Sequence, residues 1–182
     1  ELVISIKENG ILEPIIINRF SEENDVKVTF PDTVYHHDYP FIFANLDGWI
    51  ESENAIIEAK SANSFQRKEW DMALTDGIPL VYLIQVAKQC LITNATRGYC
   101  AVLIGGMEYK QFIYERDGAL EELILKADIE FWRCVQNRIE PDPISTSACR
   151  LKFRPATTNG AIPQSFIVCI TGPISRRLYC PA

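Results

Sequence analysis

Residues 44–60 read ANLDGWIESENAIIEAK, and how this stretch folds decides the rest. It carries Asp47, ten intervening residues, and then Glu58-Ala59-Lys60. The polar run Glu51-Ser52-Glu53-Asn54 separates two apolar segments, the pattern of a turn joining two strands. Successive side chains on a strand point to opposite faces, so Glu58 and Lys60 share one face while Ile57 and Ala59 take the other. If the turn folds the first strand back antiparallel, Asp47 comes beside Glu58. Two carboxylates and a backbone carbonyl make a hard oxygen site suited to Mg²⁺ or Mn²⁺. A lysine next to such an ion is placed to orient water and offset charge on phosphate oxygens, the chemistry of phosphodiester hydrolysis. The spacing alone equally describes a solvated acidic hairpin with a cross-strand ion pair, and at this point both readings stand.

Working outward, strands are expected at 26–35, 42–50 and 55–60, preceded by a helical or loop segment over 5–23 with Pro14 in its first turn. After Trp70 and an Asp76-Gly77 turn, Pro79 begins a helix whose stripe is Leu80, Leu83, Ile84, Ala87 and Leu91. Two strands, YCAVLIGG and EYKQFIYER, meet at Gly105-Gly106, and a helix follows over 118–137. His36 and His37 sit before a Tyr39-Pro40 turn; as strand neighbours they point apart, which favours a structural role over a shared ion. Trp49, Trp70 and Tyr82 lie in apolar contexts and read as core or rim.

The chain has 182 residues, 18 basic against 24 acidic, a net charge of −6 and a pI near 5.0. That balance argues against a broad basic footprint on nucleic acid and fits contact through bound cations. From Ser145 onward there are five basic residues and no acidic ones, leaving 13 basic against 24 acidic residues before it. Residues 145–182 are therefore expected to form a basic, irregular tail after a domain spanning 1–144. No apolar run is long enough for a membrane span and the amino-terminal residues lack signal-peptide zones. The six cysteines show no zinc or CxxC spacing and read as reduced thiols of a cytoplasmic protein.

Taken together, HHDYPFIFANLDGWI (36–50), IIEAKSAN (56–63), Trp70, GIPLVYLIQV (77–86) and YCAVLIGGMEYKQFIYERD (99–117) resemble, in order, the motifs of the lambda exonuclease or YqaJ recombinase family of PD-(D/E)xK nucleases. The resemblance covers residues 8–143. It implies an α/β fold with a restriction-endonuclease-like core, a mixed five-stranded sheet flanked by helices. It implies a Mg²⁺- or Mn²⁺-dependent exonuclease of phage recombination type that trims one strand of linear double-stranded DNA, 5′ to 3′, for a single-strand annealing protein. Ring-shaped trimers occur in the family. By the resemblance, Asp47 and Glu58 are metal ligands, Ala59 offers its carbonyl, Lys60 is the catalytic lysine, Glu13 approaches the metal from an early helix, and Gln85 flanks the site. Ala87, Lys88 and Gln89 depart from the family's usual glutamine and aromatic, and the usual upstream basic segment would precede Glu1.

Other readings share these residues. A site-specific or structure-specific endonuclease would use the same triad, and a catalytically degenerate fold would bind DNA only. The opening ELVISIKENGILEPIIINR is also similar to a ParB-type partition module, although FSEENDVKVTF stands where that module has its arginine-rich box.

Overall fold

A computed structural model describes residues 12–70 and 77–140. Its centre is a four-stranded sheet in the order β3-β4-β5-β6, formed by β3 (Gly48–Ile50), β4 (Ala55–Ala62), β5 (Arg97–Ile104) and β6 (Glu108–Glu115). β4 pairs parallel with β5, and the other two pairings are antiparallel. The parallel step needs a crossover, which α2 (Leu80–Thr93) supplies. Ahead of the sheet lie α1 (Leu12–Asn24) and a small ribbon of β1 (Val34–Tyr35) and β2 (Phe43–Ala44); α3 (Gly118–Asn137) follows β6.

The chain divides into two compact units, Glu1–Glu121 and Glu122–Ala182, with the sheet, α1 and α2 in the first. In the second unit the described residues are the remainder of α3 and a short exit. An ion pair between Lys126 and Glu122 at 2.7 Å spans one turn there, and Arg138 takes a left-handed conformation just past the helix. The tail expected at 145–182 lies outside the described residues, as do Asp76 and the part of the early segment before residue 12.

The four-stranded sheet corrects the expected five. Residues 26–35 make only one bridge to it, where Thr29 and Trp49 exchange backbone hydrogen bonds at 2.8 Å. Pro31 lies two residues on and has no N–H for a ladder, so the chain leaves the sheet and pairs again only as β1 with β2. The expected strand 42–50 likewise breaks at Asn45-Leu46-Asp47 into β2 and β3. The β5–β6 hairpin turns at Gly105 and Gly106, both at positive φ, in line with the sequence expectation.

The two faces of the sheet are covered differently. On one, Ile16, Ile17 and Phe20 of α1 pack on Ile57, Tyr99 and Ala101, with the rings of Phe20 and Tyr99 at 5.0 Å. On the other lies α2, and Gly98 sets its distance. A Cβ at Gly98 would overlap Val86 Cγ1 and meet Cys90 Sγ at 3.0 Å, so only a hydrogen there lets the helix approach β5 this closely. The buried face of α2 is Ile84, Val86, Ala87, Gln89, Cys90 and Ile92. The expected stripe is thus rotated: Leu80, Leu83 and Leu91 are only partly buried, because the side against the sheet includes a polar residue that apolar periodicity passes over.

Asn54, left-handed at φ 49, closes the β3–β4 turn, and its side chain bonds Asn94 O and Thr96 Oγ1, tying that turn to the α2–β5 loop. Replacing Gly98 with Val is expected to cost about 1–3 kcal/mol through overpacking. A lowered urea midpoint at unchanged slope checks this.

Candidate active site

β3 pairs with β4 only as far as Gly48↔Ile57. Beyond that point Asp47 continues the edge with its side chain: Oδ2 accepts the Ala59 N–H at 2.8 Å. The side chain thereby replaces a ladder bond and is fixed at the margin of β4. This sets the Asp47 carboxyl beside the strand that carries Glu58 and Lys60.

Glu58 is 1% exposed, on the α2 face of β4. A carboxylate there is costly unless it is fully bonded, and three donors meet it. Lys60 Nζ and Gln85 Nε2 both donate to Oε1, the latter at 2.6 Å, while Gln89 Nε2 donates to Oε2 at 2.6 Å. Gln85 and Gln89 are one helical turn apart on α2, so they reach the same carboxylate from neighbouring positions. Lys60 Nζ also lies 5.1 Å from the centre of the Tyr82 ring, which stacks on the buried Trp70 at 5.5 Å.

The electrostatics are uneven. Burial first, and then the charge of Glu58, push the Asp47 carboxyl up to about 8 despite the Ala59 hydrogen bond. Burial and Glu58 also raise Glu13, in the first turn of α1, above the usual carboxylate range. Burial opposes the Lys60 ammonium, but the charge and hydrogen bond of Glu58, followed by Asp47, outweigh it and hold its pKa above that of an ordinary lysine. Cys100, paired in register with Glu58, is a buried thiol pushed up to about 12 by burial and that carboxylate, so it is no nucleophile.

Asp47, Ala59, Glu58, Lys60 and Gln85 thus share one bonded neighbourhood. Glu13 joins it through its electrostatic interaction with Glu58 and Lys60 rather than by a hydrogen bond. Among the described residues no three His, Cys, Asp or Glu side chains stand as a ready-made ligand cluster. What fits a hard cation is the donor chemistry, carboxyl oxygens at Asp47, Glu13 and Glu58, of which Asp47 and Glu13 have their pKa values raised by burial and by the charge of Glu58. His36 has the structural role its position suggests, accepting the Asp38 and Tyr39 N–H groups at Nδ1, at 3.1 and 3.3 Å. Gln89 bonds the Glu58 carboxylate, a contact that sequence reasoning misses. In sequence it is a helix glutamine among apolar neighbours, and its spacing of four from Gln85 is the only hint.

Residues 10–96, which include Glu13, Asp47, Glu58, Lys60, Gln85 and Gln89, match the model of the YqaJ-like viral recombinase domain. This segment is similar to a YqaJ-like viral recombinase domain. The lambda exonuclease or YqaJ resemblance is borne out accordingly. The chain is 36% identical over 126 residues to the uncharacterized protein YqaJ of Bacillus subtilis (strain 168), an alignment covering 68% of this chain and 39% of that protein. It therefore spans about two fifths of the length of that relative. Its fold is similar to the alkaline exonuclease LHK-Exo from Laribacter hongkongensis, with a TM-score of 0.51 at 22% identity, covering 70% of this chain and 71% of the other. LHK-Exo in complex with dAMP matches at the same TM-score and coverage with 24% identity. The mixed α/β core expected from the sequence is present, with four strands in its sheet.

The raised Asp47 pKa has a thermodynamic consequence. The folded chain holds this proton more tightly than the unfolded chain, so stability falls as pH rises from 3.8 towards about 8. Asp47→Asn, which keeps an oxygen for the Ala59 N–H, is expected to stabilise the metal-free protein by about 1–3 kcal/mol at alkaline pH. That gain should vanish below the ordinary aspartate pKa. Urea unfolding in EDTA across this pH range checks the sign.

Proposed function

We propose that this chain is a divalent-metal-dependent deoxyribonuclease of phage recombination type. On this reading it degrades one strand of linear double-stranded DNA, 5′ to 3′, and leaves single strands for an annealing protein. The observation that carries the reading is the neighbourhood at the margin of β4, where Asp47 is fastened to Ala59 and Glu58 is bonded to Lys60. The YqaJ-like domain and the fold shared with an alkaline exonuclease support it.

Asp47, Glu58 and Glu13 are the side chains that would hold Mg²⁺ or Mn²⁺, with the Ala59 carbonyl as a further oxygen. A bound divalent ion supplies Lewis acidity toward the scissile phosphate and lowers the pKa of water. Lys60 remains cationic at neutral pH, so it serves as a fixed positive charge toward the phosphate oxygens rather than as a base. Its salt bridge to Glu58 and its place over Tyr82 restrict where that charge sits. Gln85 holds Glu58 Oε1 alongside the lysine, so the two donors fix one carboxylate oxygen between them. The net negative charge of the chain is then compatible with DNA through cations rather than through a basic groove. An annealing protein and a trimeric ring are partners the same reading proposes.

The test is digestion of linear 5′-phosphorylated, linear 5′-hydroxyl and covalently closed circular duplexes with Mg²⁺. Linear DNA is expected to be degraded and circles spared, with the rate lowered at least about 100-fold by Asp47→Ala or by Lys60→Ala. EDTA should abolish it. Cutting of circles would replace the exonuclease by an endonuclease, and an unchanged rate in both variants would remove this site from the reaction.

A further inference from the structure

Gln89 lies beside Glu58 but has no part in the proposed reaction. It is 3% exposed, and its Nε2 donates to Glu58 Oε2 at 2.6 Å, while its own Oε1 is buried without a hydrogen-bond partner among the described residues. A buried amide oxygen left bare is an uncompensated cost, so the Glu58 contact holds the amide and not mutual satisfaction of both its ends. Turning the amide over would set its oxygen against the carboxylate, which leaves one workable orientation.

The two oxygens of Glu58 are unequally engaged. Among the described residues, Oε1 accepts from both Lys60 and Gln85, whereas Oε2 accepts from Gln89 alone. A carboxylate oxygen offers about two lone-pair sites. Oε1 is therefore filled by its two donors, and Oε2 keeps one site open.

We propose that Gln89 is a positioning residue that presents Glu58 Oε2 to a divalent cation, while Lys60 and Gln85 commit Oε1 to anchoring. This rests on the metal-dependent reading above. The two glutamines then have separate roles, Gln89 setting cation affinity through Glu58 and Gln85 setting the lysine's placement. The arrangement parallels the general rule that groups bonded to a ligand tune affinity without touching the ion.

The experiment is Mn²⁺ titration of the DNA-free protein by calorimetry and by Mn²⁺ electron paramagnetic resonance, with thermal melting of every variant. Gln89→Met, close in volume but without an amide, is expected to weaken Mn²⁺ binding by about 10–100-fold. Gln85→Met should shift it less than about threefold while lowering kcat on linear DNA. Should Gln89→Met melt early, Gln89→Asn retains an amide one methylene too short to reach Glu58 and is expected to weaken Mn²⁺ binding in the same direction. Native-like Mn²⁺ affinity in a folded Gln89 variant, equal weakening by Gln85→Met, or no Mn²⁺ binding by the native chain would each overturn the proposal. Tight Mn²⁺ binding that depends on Gln89 in a chain that cuts no DNA would uphold this assignment and overturn only the nuclease reading.

Discussion

The structure is organised around the burial of one charge, the Glu58 carboxylate. It sits inside the sheet on β4, at a depth where an unpaired carboxylate would be prohibitively costly. Three donors meet it: Lys60 two residues along the same strand, and Gln85 and Gln89 from the crossover helix. For the two amides to reach, α2 must lie close on β5, and that approach exists because Gly98 has no side chain. The depth at which α2 packs and the face it turns to the sheet bring both amides to that one carboxylate.

The same neighbourhood is less comfortable at its edge. Glu58 is compensated, but Asp47 and Glu13 are partly buried and share its field with, among the described residues, only Lys60 between them, and their pKa values rise. An arrangement selected for stability alone would not gather three carboxylates around one lysine. Functional sites commonly hold such locally unfavourable charge, and a bound cation relieves it. The fold tolerates this because Asp47 is fastened by a backbone N–H and because the apolar layer of Ile16, Ile17 and Phe20 against Ile57 stabilises the opposite face.

Much of this is legible from residue order. Period-two alternation across Ile56 to Lys60 places Glu58 and Lys60 on one face, the polar run at 51–54 marks the turn, and Gly105-Gly106 marks the second hairpin. These are local signals, set by neighbours within a few residues. The failures have equally definite causes. Residues 26–35 look like a strand by composition, yet Pro31 removes a donor and the chain leaves the sheet. Apolar periodicity along α2 cannot register Gln89 as a buried residue, since an amide scores as surface wherever its partner is far away in sequence.

The sequence by itself determined the strand pair and the shared face of Glu58 and Lys60, because each depends on short-range alternation and spacing, while its ordered motifs carried the resemblance to the YqaJ family. Only the tertiary structure decided that Gln85 and Gln89 converge on Glu58 across 27 and 31 residues, and that Asp47 substitutes for a ladder bond at Ala59. The reason is physical: what a buried polar group bonds to depends on which helix crosses it and how closely, and that distance is set by the packing of distant segments such as Gly98 against Val86 and Cys90.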